Sequence, residues 1–154
     1  MARVISSGLL NYRFTDKGIE VLLGKVGGPY WSIKERSWGL PKGCQEEGET
    51  LFDTAVREFK EETSLEIPED VEFFDLGLIR INKKTVYAWA YEYDYGDDVK
   101  FISNKCFVEY PKGSGIQLEI NEIDEGKYFF IDEAMDIVIL YQMVFLERLR
   151  WGIK

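Results

Sequence analysis

The sequence predicts an α/β/α sandwich: a mixed, largely antiparallel sheet with a helix on each face. Three observations lead there. Strand-like runs come in pairs joined by short polar turns, which makes hairpins and therefore antiparallel neighbours. One amphipathic helical segment stands mid-chain and a second helical region stands at the end. The 154 residues, 45% of them apolar, suffice for one domain over 1–154 that buries about two-thirds of its unfolded surface.

Arg3 to Phe14 is the first strand, with apolar residues at Val4, Leu9, Leu10, Tyr12 and Phe14. Thr15-Asp16-Lys17-Gly18 is a turn, and Ile19 to Val26 returns as the second strand. Gly27-Gly28-Pro29-Tyr30-Trp31 breaks the alternation and begins a loop. Trp38-Gly39-Leu40-Pro41 has room only for a short strand, because Pro41 cannot donate to a ladder. A loop with Gly39, Gly43 and Gly48 follows.

Leu51 to Thr63 is the first clear helix, with Phe52, Ala55, Val56 and Phe59 as one apolar stripe and Pro68 beyond its end. Phe73 to Ile81 and Thr85 to Tyr93 form a hairpin through Asn82-Lys83-Lys84. Cys106 to Tyr110 is a shorter strand stopped by Pro111, and Lys112 to Glu125, polar and glycine-containing, reads as a loop. Lys127 to Ile131 is the last strand. Asp132 is placed to cap the helix that follows, with Glu133 and Asp136 near its positive end. Ile137-Val138-Ile139 is a poor helix interior because branching at Cβ restricts the side chains, so two short helices share Glu133 to Trp151.

Composition removes whole classes of function. There is no histidine, which excludes imidazole bases, imidazole zinc sites and the HExxH helix. The net charge of −9 disfavours a nucleic-acid partner, whose backbone wants a basic stripe. The longest charge-free run near the C-terminus, Ile137 to Leu146, is ten residues, whereas a bilayer span needs about twenty, so no membrane partner is expected. Cys44 and Cys106 do not make a disulfide framework, and Met1-Ala2-Arg3 runs straight into alternating residues without a secretory stretch. Both point to the cytoplasm.

The negative charge is concentrated. Glu46 to Glu72 holds eleven acids and two bases, Arg57 and Lys60, for 2 − 11 = −9, and the rest of the chain balances at seventeen of each sign. Such a window is either a solvated face or a cation site. Glu58, Glu61 and Glu62 lie at i, i+3 and i+4 on one helix face. Glu58 and Glu62 repel by about 0.2–0.5 kcal/mol, and the one nearby arginine, Arg57, cannot neutralise three acids. The apolar stripe around Phe59 is close by, so the carboxylates flank the core at a crevice. Crowded carboxylates at a crevice are the ligand set of a hard divalent cation, whose shell is completed by water and phosphate oxygens. Gly43 lets backbone approach such an ion, and Lys42 beside it can pair with a phosphate. Trp38 and Trp89 read as strand core, while Trp31, in a loop after Pro29, is a candidate to contact substrate.

Gly43-Cys44-Gln45-Glu46-Glu47-Gly48-Glu49, seven residues, then Arg57-Glu58-Phe59-Lys60-Glu61-Glu62-Thr63-Ser64-Leu65 resembles the Nudix box, G-x5-E-x7-R-E-U-x-E-E-x-G-U with U apolar. Within box 43–65, Gly43, Glu49, Arg57, Glu58, Phe59, Glu61, Glu62 and Leu65 match and only Ser64 departs, where the family has glycine. The stretches Gly27 to Trp31, Leu40 to Gly43 and Ser114-Gly115 through Glu122-Ile123-Asp124 extend the likeness to a bacterial subgroup, of unassigned substrate, of the Nudix hydrolase (MutT-like) family.

The resemblance implies the Nudix sandwich and a pyrophosphohydrolase. It implies Mg²⁺ or Mn²⁺ held by Glu58, Glu61 and Glu62, with the Gly43 carbonyl often joining them, and gives Arg57 the role of orienting the glutamates. It also implies a further ligand or general base in the loop before the last strand, where Glu122 stands first and Glu119 second. Either Glu58 or Glu122 takes the proton from the attacking water. The implied substrate is a small-molecule nucleoside diphosphate linked to a moiety X: a dinucleoside polyphosphate, a nucleotide sugar or an NTP-like compound. The chain would act as a monomer or homodimer. At Ser64, a kept left-handed helix exit would cost about 1 kcal/mol. The alternative is a non-catalytic nucleotide-binding sensor on the same fold. Isoprenoid diphosphate isomerisation is disfavoured by the absence of histidine, and a cation-buffering domain has no use for Lys42 or Gly43.

Overall fold

Alternation along the first strand sets the layers. A computed structural model describes residues 4–152, so Arg3, the expected strand start, and Met1 and Ala2 before it lie outside the described residues. In chain order the strands are β1 (Val4–Thr15), β2 (Gly18–Val26), β3 (Trp38–Gly39), β4 (Lys42–Cys44), β5 (Phe73–Ile81), β6 (Lys84–Glu92), β7 (Lys105–Glu109), β8 (Gln117–Asn121) and β9 (Ile123–Phe130). The helices are α1 (Pro29–Ser32), α2 (Leu51–Thr63), α3 (Ile131–Ile137) and α4 (Met143–Gly152), with a 3-10 turn at Leu140–Gln142.

Leu9 and Leu10 are neighbours on β1 and point to opposite faces, as a pleated strand requires. Leu9 packs with Ala55 and Phe59 of α2 and with Tyr91. Leu10 packs with Val21, Leu23 and, from α3 and α4, Ala134, Phe145 and Leu149. Each large apolar side chain buried this way contributes about 1.5–3 kcal/mol. The result is the expected α/β/α sandwich.

The sheet is mixed and mostly antiparallel. β1 pairs antiparallel with β2, β6 with β5, and β2 with β9, while β1 and β6 run parallel from Val4↔Lys84 to Tyr12↔Glu92. The β1–β2 ladder covers only the turn-proximal part, from Asn11↔Leu22 to Thr15↔Gly18. Beyond it the two strands part, and the gap takes other partners: β3 bonds β2 at Gly24 and Lys25, and β4 bonds β1 at Ser6 to Gly8. This wedge carries Lys42 and Gly43 to the N-terminal half of β1, beneath α2.

Several expectations change. Lys42–Cys44 is strand, not loop; three residues are too few to show a period. The stretch expected as loop from Lys112 to Glu125 contains β8 and the start of β9. β7 and β8 form a separate two-stranded ribbon whose β8 residues are largely exposed, so no buried face imposes an apolar alternation on the sequence. The glycine-rich loop after Val26 holds the short α1. The last helical region does split in two, but Phe130, not Asp132, is the N-cap of α3. The Glu133 carboxylate accepts from the Phe130 N–H at 3.3 Å, and Asp132 in the first turn instead pairs with Arg150 at 2.6 Å. Cys44 and Cys106 are free thiols. Among the described residues no helix is long and apolar enough to cross a membrane.

Candidate active site

Helix α2 is fixed at both ends, which places its glutamates. At the start, Thr50 Oγ1 accepts from the Asp53 N–H at 3.1 Å, an ordinary N-cap. At the end, Ser64 takes the left-handed conformation, φ 61° and ψ 16°, and its N–H donates to the Lys60 carbonyl at 2.9 Å. The left-handed exit that glycine would supply is therefore kept with serine in its place.

Arg57 organises the acidic face. Its guanidinium grips Glu49 through two bonds, Nε at 2.7 Å and Nη2 at 3.0 Å. Its Nη1 reaches Glu58 at 2.8 Å and Glu61 at 2.7 Å, and Nη2 also donates to the Cys44 carbonyl at 3.1 Å. The fork holds the Glu49 carboxyl down to about 2. One arginine therefore neutralises more of the cluster than its count suggests, and it ties the loop before α2 to the helix. Glu62 is the acid without a bond to it.

Glu62 is 3% exposed. Burial pushes its carboxyl well above the ordinary carboxylate range, and the adjoining Glu58 carboxylate and then Glu122 push the same way, with Lys42 opposing. Burial likewise raises Glu122, with Glu58 and Glu61 adding to it. Lys42, Glu62 and Glu122 line one pocket with Gly24, Leu40 and Gln142 among its other walls.

Gly43 has a specific steric reason. A Cβ there would lie 2.0 Å from Glu58 Cδ, so the Glu58 carboxylate rests directly against bare backbone. This is a cradle that a side chain would fill. Glu122 is held by its main chain: the Gly27 N–H donates to its carbonyl at 2.8 Å, and its own N–H donates to the Asn104 carbonyl at 3.0 Å.

The donors are carboxylate oxygens, the chemistry that a hard divalent cation takes. Carboxylates of Glu58 and Glu62 adjoin at the C-terminal half of a helix, whose dipole adds negative potential, and Glu122 approaches from outside the helix. That arrangement calls for positive charge between the acids. Among the described residues no group of three or more acidic or cysteine side chains is placed to hold a metal ion, Glu61 being turned to Arg57.

Other candidates sit elsewhere. Trp31, on α1, is half-buried with Lys34 Nζ 4.2 Å from its ring centre, and it is not among the residues lining the pocket. Glu119 is exposed on β8 and lines a separate recess with Gly28, Lys105 and Asn121. Trp38 packs on Phe129 and Trp89 on Phe52, both as core. The sequence reading missed Gln142, whose buried amide oxygen accepts from the Leu40 N–H at 2.9 Å and shapes the pocket. Its signal was a lone amide in an otherwise apolar run. It also missed the segment 102–104, which carries no periodicity.

A family model described as the NUDIX domain matches residues 8–144. Among curated proteins none matches the chain. Solved structures share the fold. An Ap4A hydrolase from C. elegans, in a binary complex, is 22% identical over 97% of this chain and 96% of its own, with a TM-score of 0.68. The NUDIX domain of Shewanella oneidensis NrtR, complexed with ADP ribose, is 18% identical over 100% and 90%, with a TM-score of 0.67. A mutT/nudix family protein from Listeria innocua is 17% identical over 99% and 95%, with a TM-score of 0.64.

Proposed function

The chain belongs to the Nudix family, and from that premise we propose that it is a Mg²⁺- or Mn²⁺-dependent pyrophosphohydrolase. Its substrate is a nucleoside diphosphate linked to a moiety X. Family membership supports a hydrolase of phosphoanhydride bonds. The observation that carries the reading is the convergence of Lys42, Glu62 and Glu122 on one pocket, with Glu58 against Gly43 beside them. Of the similar proteins named above, one is an Ap4A hydrolase and another is complexed with ADP ribose. Both compounds contain a nucleoside phosphoanhydride, which supports the substrate class.

Glu58, Glu61 and Glu62, with the Gly43 carbonyl, would hold the ion. When bound, it offsets phosphate charge and lowers the pKa of bound water. Arg57 orients Glu58 and Glu61 through the bonds at 2.8 and 2.7 Å. Lys42 pairs with a phosphate oxygen, and Trp31, outside that pocket and with Lys34 over one face of its ring, has its other face for the moiety X. Glu122, on a different element from the metal helix, accepts the proton of the attacking water, with Glu58 as the other candidate. The products are two phosphorylated fragments. The partner is a small molecule, with neither nucleic acid nor membrane required, and the chain works as a monomer or homodimer in the cytoplasm.

The test is product release from a panel of dinucleoside polyphosphates, nucleotide sugars and nucleoside triphosphates, with Mg²⁺, with Mn²⁺ and in chelator. Turnover of a panel member that needs the metal supports the reading; full turnover in chelator refutes it. A nucleotide-binding sensor without hydrolysis is the second reading. It draws on Glu61 being engaged by Arg57, and binding by calorimetry without turnover would establish it.

A further inference from the structure

Segment 102–104 is laid between the C-terminal end of α2 and the start of β9. A helix leaves its last four carbonyls without partners inside the helix. Here the segment answers two of them: the Ile102 N–H donates to the Thr63 carbonyl at 3.0 Å, and the Asn104 N–H to the Glu61 carbonyl at 2.9 Å. On its other side the Asn104 carbonyl accepts from the Glu122 N–H at 3.0 Å. The main chain of Asn104 is thus a two-bond bridge from Glu61, on the metal helix, to Glu122.

Two hydroxyls lock this strap. Ser64 Oγ donates to the Ile102 carbonyl at 2.6 Å. Ser103 Oγ donates to the Asn104 carbonyl at 2.8 Å and accepts from the Ile123 N–H at 3.0 Å. The Ile102 side chain is 71% exposed, so burial of that residue does not hold the strap. Ser64 sits at φ 61°, where glycine would be unstrained, yet glycine could not make the bond to Ile102. A strained residue persists where its surroundings over-determine it, and the strap does so here.

We propose that Ser64 and Ser103 are positioning residues for the hydrolysis: their hydroxyls hold strap 102–104 between α2 and β9, and the strap sets the Glu122 carboxylate against the glutamates of the metal helix. The inference rests on Glu122 being the proton acceptor. Neither serine touches substrate; both act through the Asn104 bridge and Ile123.

The experiment compares Ser64→Ala, Ser103→Ala and Ser103→Thr with the unaltered chain. Amide exchange, measured without metal or substrate, is the first readout. Removal of either hydroxyl should speed exchange at Asn104 and Glu122 by about tenfold, while the Phe59 amide in the core of α2 keeps its rate. The kcat should fall about tenfold, with KM and the Mg²⁺ requirement within about twofold, since a small misplacement acts on the reacting geometry. Ser103→Thr should restore both. In a Glu122→Gln background, Ser103→Ala should add nothing, because both changes act on one group. Unaltered exchange at Asn104 and Glu122 in both alanine variants overturns the proposal. So does a kcat loss that is undiminished in the Glu122→Gln background. If Glu122→Gln itself leaves kcat unchanged, the base assignment falls and the positioning role with it. If Glu122→Gln is slow while both serine variants keep full kcat, the positioning role alone falls.

Discussion

Gly43→Ala should separate the stability of this fold from its chemistry. The new Cβ would stand 2.0 Å from Glu58 Cδ and 2.1 Å from Oε1, where ordinary contact begins at 3.4 Å. The carboxylate must therefore retreat by 3.4 − 2.0 = 1.4 Å. Because the obstructed atoms are the far end of a flexible side chain, the backbone need not move. Overpacking of a rigid core costs about 1–3 kcal/mol, and this site should fall at or below the lower end. Function is different. The retreat breaks the fit of Glu58 to the Arg57 Nη1 at 2.8 Å and to its neighbour Glu62. A misplacement of about 1 Å in a reacting constellation costs about 100-fold. The assay pairs thermal melting with Mg²⁺ titration of hydrolysis. The expected result is a nearly unchanged melt without metal, a raised Mg²⁺ requirement and a large loss of kcat/KM. A variant with the wild-type Mg²⁺ requirement would refute the view that the bare backbone at 43 exists to seat Glu58.

Chelation should abolish hydrolysis, and Mg²⁺ at about 100 times its Kd should raise folding stability by about 2.7 kcal/mol, read as a higher melting temperature. Glu62→Gln should remove Mg²⁺ binding, whereas Glu66→Gln, on an exposed residue just past the box, should change little; equal losses would mean that bulk charge is what matters. In metal-free protein the raised Glu62 makes the folded state bind more protons than the unfolded chain, so stability should fall as pH rises above the ordinary value of 4.5, and Glu62→Gln should flatten that slope in a melt series. Glu122→Gln should lower kcat by at least about tenfold at saturating Mg²⁺ with the half-saturating Mg²⁺ little moved, while Glu58→Gln should shift both.

What the sequence reveals here depends on how local the constraint is. Leu51–Thr63 is legible to the residue because the apolar stripe and the glutamate spacing share one period on one helix. On β1 the sequence marks Leu9 and Leu10 only as apolar, and it is the pleat that sends them into two different cores. Of the outlying ribbon, β7 is legible as the run Cys106 to Tyr110 before Pro111, whereas β8 is not, because its largely exposed residues carry no buried face to imprint a period. β4 is short, and its pairing with Ser6 to Gly8 is set by the parting of β1 from β2, which is a property of the sheet rather than of residues 42–44. The main-chain bonds of segment 102–104 to Glu61, Thr63 and Glu122 leave no trace in side-chain type, and the two hydroxyls that lock it, on Ser64 and Ser103, form no motif in the sequence.

The acidic window shows where counting stops and geometry begins. Charge arithmetic leaves Arg57 and Lys60 against eleven acids, and a lone arginine among three glutamates reads as insufficient. The fork geometry of the guanidinium changes that result, because five donors in one plane can serve several acceptors at once. Arg57 satisfies Glu49, Glu58 and Glu61 together. What it cannot reach is Glu62, buried on the core side of the same helix with Glu58 and Glu122 as its anionic neighbours. The unmet demand for positive charge is thus not spread over the window. It is focused on the space between Glu58, Glu62 and Glu122, where Lys42 is the cationic side chain that opposes it. An uncompensated buried carboxylate costs stability unless it takes up a proton or a cation. Under the proposed function, the same arginine that quiets most of the acidic surface leaves this space to the ion, and Glu122 beside it is the acid that would make the site a hydrolase rather than a sensor.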